Sequence, residues 1–200
     1  MNKILSAIFL LFTASFILTG CAPKVEENNF SLLNQEQRAQ KLNNINELEE
    51  FGRIGLFSRY KNASFSVNCS YSYNKDKFSL AFTGPMGLQY ALVEVYANGT
   101  TYINAQGKVL KGENARELLK ENFKLDIPVE DLHRVMIGLP RGKVVYDNLG
   151  YAKEALVEDQ YKVIYRSYKP IRDYVLPNQL EIITPQTKIV LRINEITKVK

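Results

Sequence analysis

From Ser64 to Tyr73 the chain alternates polar and apolar residues without a break: Ser64-Phe65-Ser66-Val67-Asn68-Cys69-Ser70-Tyr71-Ser72-Tyr73. After Asn74-Lys75-Asp76 the alternation resumes at Phe78, Leu80 and Phe82. A period of two sends successive side chains to opposite faces of an extended strand, so this stretch excludes a helix and specifies a hairpin with one wet and one apolar face. Further strand signals fall at 89–96, 101–104, 161–168, 179–184 and 188–193, with Asn98-Gly99 and Gln106-Gly107 as turns between some of them. Consecutive strands on short connections predict an antiparallel meander, because parallel strands need long crossovers.

Three helical segments accompany the strands. Leu32, Leu33, Ala39, Leu42, Ile45, Leu48 and Phe51 recur at mostly three-residue steps, which predicts an amphipathic helix up to Gly52, where the period changes to two. Residues 113–123 carry Ala115, Leu118, Leu119 and Phe123 on a second helical stripe. Val129, Leu132, Val135 and Met136 belong to a short helix that Pro128 opens and Gly138 and Pro140 close. The class is therefore mainly β with helices, α+β. One long sheet cannot leave its apolar face bare. It either closes into a small barrel around packed side chains or curls partway, with the helices as a lid over the open mouth. The inward aromatics Phe65, Tyr71, Phe78 and Phe82 either line a cavity or fill a core, and the residues alone leave both open.

At 200 residues the chain is long enough for one sizeable core and short for two. Its 26 basic and 21 acidic residues are scattered, which sets nucleic-acid binding aside. One His, His133, and two Cys leave too few ligands for a structural zinc site and little for a His-dependent catalytic dyad. His133 reads as a solvated or lid-edge residue. At the N-terminus Lys3 precedes an apolar stretch, Ile4 to Leu18, shorter than the roughly 20 residues that cross a bilayer, and so a signal h-region. The following Leu18-Thr19-Gly20-Cys21 resembles the lipobox of a bacterial lipoprotein. That resemblance implies cleavage before Cys21, with S-diacylglycerol and N-acyl groups on its sulfur and amine and no other cofactor. Two or three acyl chains make a stable anchor where one holds only marginally. Ala22, where an Asp would signal inner-membrane retention in enteric-type bacteria, points to the outer membrane. The expected division is a signal peptide over 1–20, a lipidated tether over 21–30 and one domain over 31–200. Cys69, left without an intrachain partner, reads as a small strand hydrophobe.

Several segments, taken in order, resemble the LolB family of outer-membrane lipoproteins: Gly52-Arg53-Ile54, the strand from Ser64 to Tyr73, and the run from Phe78 to Gly84-Pro85-Met86-Gly87. Ile127-Pro128-Val129-Glu130-Asp131-Leu132, Gly138-Leu139-Pro140, the run from Tyr161 to Tyr168 and Leu176-Pro177 continue it, over about residues 45–200. The chain departs from the family where Tyr71 and Val135 stand in place of Trp. The resemblance implies an open, strongly curved antiparallel half-barrel covered by a helical lid. It also implies a lipid-anchored monomer that faces the periplasm from the outer membrane of a Gram-negative bacterium. Such a protein takes acylated lipoproteins from the periplasmic chaperone LolA and places them in the outer-membrane lipid without catalysis. On that reading Phe65, Val67, Tyr71, Phe78, Leu80 and Phe82 contact acyl chains, with Ala91, Val93 and Val95 continuing the wall. The opposite parity carries Glu94, which is costly to bury unpaired. Leu118, Leu119, Leu132 and Met136 cap the cavity or simply pack the helices on the sheet. Pro85, Met86 and Gly87 form a loop whose apolar tip enters the membrane, Met86 standing where the family has Leu. Two other classes remain: an assembly lipoprotein that binds a partner by strand-edge pairing, and an anchored hydrolase using acidic groups such as Asp131 and Glu94.

Overall fold

Strict alternation becomes strand wherever it occurs. In the computed structural model, which describes residues 29–59, 62–105, 107–158 and 160–200, β1 (Leu48–Ser58), β2 (Ala63–Tyr73) and β3 (Lys77–Thr83) pair antiparallel side by side. The meander continues through β4 (Gln89–Tyr96), β5 (Thr101–Ala105) and β6 (Lys108–Gly112). A second meander runs through β7 (Lys143–Tyr146), β8 (Ala152–Val157), β9 (Tyr161–Ile171), β10 (Tyr174–Ile183) and β11 (Thr187–Val199). The last strand, β11, lies against β1 and joins the two into one eleven-stranded antiparallel sheet. Residues 1–28 lie outside the described residues, and with them the expected signal peptide and Cys21.

The outermost strands are β6 and β7, and that order dictates the lid. The chain leaves one margin at Gly112 and re-enters at the other at Lys143, so residues 113–142 must cross the sheet between its open edges. They do so as α2 (Ala115–Phe123), a 3-10 turn (Val129–Asp131) and α3 (Leu132–Met136). Asn114 caps α2 by accepting from the Glu117 N–H, and Lys124, in the left-handed conformation, ends it. The apolar side of this crossing, including Leu119, Phe123, Val129, Leu132, Val135 and Met136, joins one core with the inward residues of the strands, among them Leu56, Ile103, Val163 and Ile182.

The first helix is shorter than its periodicity suggests. A 3-10 turn (Asn29–Leu32) precedes α1 (Gln35–Asn43), which Asn34 opens with a capping box to Gln37. Leu32 is exposed, and Leu48 and Phe51 belong to β1, Leu48 inward and Phe51 outward. Three-residue steps from Ile45 to Phe51 are compatible with either element. Pairing with β2 on one side and β11 on the other decides for the strand. Arg38 fastens the N-terminal segment by donating to the carbonyls of Phe30, Ser31 and Leu149, with its guanidinium over the Tyr151 ring.

Candidate functional site

The half-barrel is not filled. Beneath α2 lies a cavity of about 720 Å³. Leu56, Ser58, Ala63, Phe65, Val67, Phe82, Ala91, Val93, Ile103 and Ala105 line it from the sheet, and Leu119, Phe123, Leu125 and Ile127 from the lid. These strand residues come from the ends of β1, β3 and β5 and the beginnings of β2 and β4, which antiparallel pairing puts at one end of the sheet. Phe65 and Tyr90 line the cavity while remaining about half exposed, so it opens to solvent there. Space exists because Ala63, Ala91, Ala105 and Gly107 stand where larger side chains would close the packing. The Ser58 hydroxyl, one of the few polar groups in the wall, donates to the Lys124 carbonyl.

Of the residues expected to form the wall, Phe65, Val67, Phe82, Ala91, Val93 and Leu119 face this cavity. Tyr71, Leu80, Leu132 and Met136 instead surround a separate void of about 20 Å³ beneath α3. Phe78, Val95 and Leu118 border neither. Phe78 packs on the Tyr71 ring and Leu118 over Gly112. The division follows from strand length, since β2 reaches from the open cavity at Phe65 to the ground beneath α3 at Tyr71, where the lid lies directly on the sheet. Leu56 and Ile103 were not expected, yet cross-strand pairing brings Leu56 beside Phe65 and Ile103 beside Val93. Tyr90 is the extra residue of a bulge, because Phe82 pairs with Ala91 but Thr83 with Gln89, and its ring lies against Gly84. Glu94 pairs with Lys77, consistent with Ala91 and Val93 on the inward parity.

The Pro85–Gly87 turn sits at the mouth, between Phe82 and Gln89, both of which line the cavity. The Gly84 N–H donates to the Leu88 carbonyl at 2.8 Å and closes the loop. Met86 is 95% exposed, with φ +58°, and Leu88 and Tyr90 beside it are exposed too. The side chain therefore does not fold back on the sheet, and the mouth carries an apolar rim continuous with the cavity.

His133 is a lid-edge residue. Its ring stacks on Tyr73 at 3.5 Å between centroids, and its Nδ1 lies 3.0 Å from the Tyr71 hydroxyl. Burial, and then the neighbouring Arg134 charge, lower its pKa to about 4, so it is neutral near pH 7. Asp131 accepts from the Tyr161 hydroxyl and pairs with Arg141, which ties it into the packing of α3. Cys69 is a buried free thiol on β2, its pKa raised to about 12 by burial first and then by the Glu50 carboxylate. Among the described residues no group of three or more His, Cys, Asp or Glu is placed to hold a metal ion.

The family model described as Outer membrane lipoprotein LolB matches residues 49–195. The chain is 25% identical over 187 residues to the outer-membrane lipoprotein LolB of Psychromonas ingrahamii, covering 91% of this chain and 89% of that one. It is 25% identical over 188 residues to the LolB of Photorhabdus laumondii, with 90% of each covered. Among solved structures it is similar to a LolA superfamily protein from Nitrosomonas europaea, at 8% identity and a TM-score of 0.54 over 82% of this chain and 93% of that one. A DUF1329 family protein from Desulfovibrio piger gives a TM-score of 0.56 at 8% identity, over 84% of this chain and 90% of that one. At such identities the likeness is one of fold, a curved sheet crossed by helices. With the family match running from β1 to β11 through both the lid and the cavity wall, the chain belongs to the LolB family of outer membrane lipoproteins.

Proposed function

We propose that this protein, anchored in the outer membrane through an acylated Cys21, accepts lipoproteins from a LolA-type chaperone and releases them into the membrane, holding their acyl chains in the cavity beneath α2. The observation that carries this reading is an unfilled apolar cavity, open at one end, whose mouth is rimmed by Met86, Leu88 and Tyr90. An acyl chain in water gains about 0.8 kcal/mol for each methylene buried, so only an apolar enclosure can carry it between membranes. An engineered 150 Å³ cavity holds benzene, and on that scale a cavity of about 720 Å³ takes roughly thirty chain carbons. The sequence contains no Gly-x-x-x-x-Gly-Lys-Ser/Thr stretch for nucleotide binding. Transfer therefore runs downhill: the receptor binds more tightly than the donor and less tightly than the bilayer. The protein is a receptor for lipoproteins and not an enzyme.

The test uses a Cys21→Ala form recovered from the periplasm. It should copurify with acylated lipoprotein, seen by mass spectrometry, and should take that cargo from the loaded chaperone. A form that emerges without acylated cargo and accepts none would overturn the proposal. Correct sorting of lipoproteins after depletion of the protein would point instead to an assembly role.

A further inference from the structure

We propose that Glu50 is a proton-linked release for the helical lid: its carboxyl, enclosed without a partner beneath α3, puts a cost on the shut lid that opening removes. Glu50 points inward from β1 on the same face as Leu48, Ile54 and Leu56, where the other polar side chain, Ser58 at the far end of the strand, donates to the Lys124 carbonyl, and Glu50 is 1% exposed. Neither carboxylate oxygen has a hydrogen-bond partner among the described residues. Glu50 borders the void of about 20 Å³ that Leu132 and Met136 close from the lid. Tyr71, its pairing partner in the sheet, closes the void from β2 and bonds the lid through His133. The carboxyl and the latch between lid and sheet thus share one spot, and lifting α3 admits water to both.

An ion without a partner is not tolerated there, so the shut lid holds Glu50 protonated and its carboxyl titrates well above the ordinary range, through burial alone. The other titratable groups at the void stay neutral. Cys69 is raised to about 12 and Tyr71 is raised as well, each by burial first and then by the Glu50 carboxylate. His133, one hydrogen bond away, is lowered to about 4. Leu80 of β3, Ile182 of β10, and Ile189, Leu191 and Ile193 of β11 complete an apolar wall, with Ile127 from the lid segment. Because the shut-lid pKa is raised, closure is fully favoured below the ordinary glutamate value of about 4.3 and weakens as pH rises toward the shut-lid pKa. Across that window opening releases one proton, and the opening equilibrium gains up to about tenfold per pH unit. His133, lowered to about 4 by burial under the shut lid, returns toward the ordinary value of about 6.5 when α3 lifts, so its linkage favours opening as pH falls, is spent above that value and has the opposite sign to that of Glu50.

The coupling belongs to the lid; its use in admitting and releasing cargo rests on the function proposed above. Hydrogen–deuterium exchange of peptides spanning 129–137, corrected for intrinsic exchange and referred to the β9–β10 amides, reads lid opening in the ligand-free protein between pH 6.5 and 8, above the range in which His133 titrates in either lid position. In the wild type, protection should fall several-fold or more per pH unit. In Glu50→Gln, which keeps the shape and cannot ionise, it should be flat, and in Glu50→Leu flat and at least tenfold higher at pH 8 than in the wild type. Wild-type protection that is flat across this range, or a slope that persists in Glu50→Gln, overturns the inference. Binding of a fluorescent fatty acid reads the cavity separately. A lid that follows pH in a protein that never binds the probe would sink the acyl-chain reading and leave the lid coupling standing; a bound probe over a pH-insensitive lid would do the reverse.

Discussion

Met86 keeps a φ of +58° and a side chain almost wholly in water, two unfavourable conditions at one residue. A non-glycine residue in the left-handed region costs about 1 kcal/mol relative to glycine, and the adjoining Gly87, at φ +76°, shows that glycine fits the loop. An apolar residue retained here contributes to something other than stability. Met86→Gly should therefore leave the melting temperature unchanged or raise it by a few degrees, while slowing lipoprotein transfer to liposomes at least tenfold with cargo binding intact. Met86→Glu should impair transfer further, because a carboxylate at the tip must be desolvated to enter the bilayer. Wild-type transfer by either variant would remove Met86 from the membrane step. The residue was legible in the sequence, since Gly84, Pro85 and Gly87 mark a tight turn with one apolar side chain at its tip. Glu50 was not, because in Leu48-Glu49-Glu50-Phe51 the sequence does not say which of two adjacent carboxylates the strand turns inward.

Among the elements, the N-terminal segment is held by the buried Phe30, Leu42 and Ile45 and by one polar side chain that reaches across the fold. Arg38 lies in α1 but donates to carbonyls before its own helix and to Leu149 in the connection between β7 and β8, and stacks on Tyr151. Arg38→Ala should cost about 1.5–3 kcal/mol in urea unfolding by removing the hydrogen bonds that a charged donor makes to the Phe30, Ser31 and Leu149 carbonyls. Arg38→Lys should recover less than half of that, because an ammonium cannot serve three carbonyls and a ring together; full recovery by Lys would mean that charge alone holds the segment. Element type was readable where the periodicity was long and unambiguous, as in β2 and β3. It failed at Leu48 and Phe51, whose spacing suits a helix but whose backbones are claimed by strands on both sides. The strands β6, β7 and β8 went unread because they are 4–6 residues long and two of them are sheet margins, where one neighbouring strand imposes little pattern. Which inward residues line the cavity and which lie beneath α3 was likewise beyond the sequence. Parity puts Phe65 and Tyr71 on one face, but only the path of residues 113–142 across the sheet divides that face in two.

For the whole molecule, the cavity is a deficit of side-chain volume in the interior, and Ala63, Ala91, Ala105 and Gly107 among the larger residues of its wall make the trade explicit. Empty space of this size forfeits dispersion contacts along its whole lining, so the unliganded protein is less stable than a filled core of the same topology would be. Two consequences oppose each other in one residue. A ligand that occupies the cavity must raise stability by mass action, about 2.7 kcal/mol at a hundredfold excess over its dissociation constant, or roughly 5–10 °C in melting temperature for a domain of this size. A side chain that occupies it must do the same without ligand. Ala105, inward on β5 and part of the cavity wall, is the place to compare them. Ala105→Phe should melt no lower than the wild type, should gain less than a third of the wild-type shift from a long-chain fatty acid, and should accept acylated lipoprotein poorly. The sheet face and the lid are the same in both proteins, so only the free volume differs. If Ala105→Phe bound the fatty acid and gained the full shift, the acyl chain would lie elsewhere on the sheet, and the opening beneath α2 would be a packing defect with no part in binding.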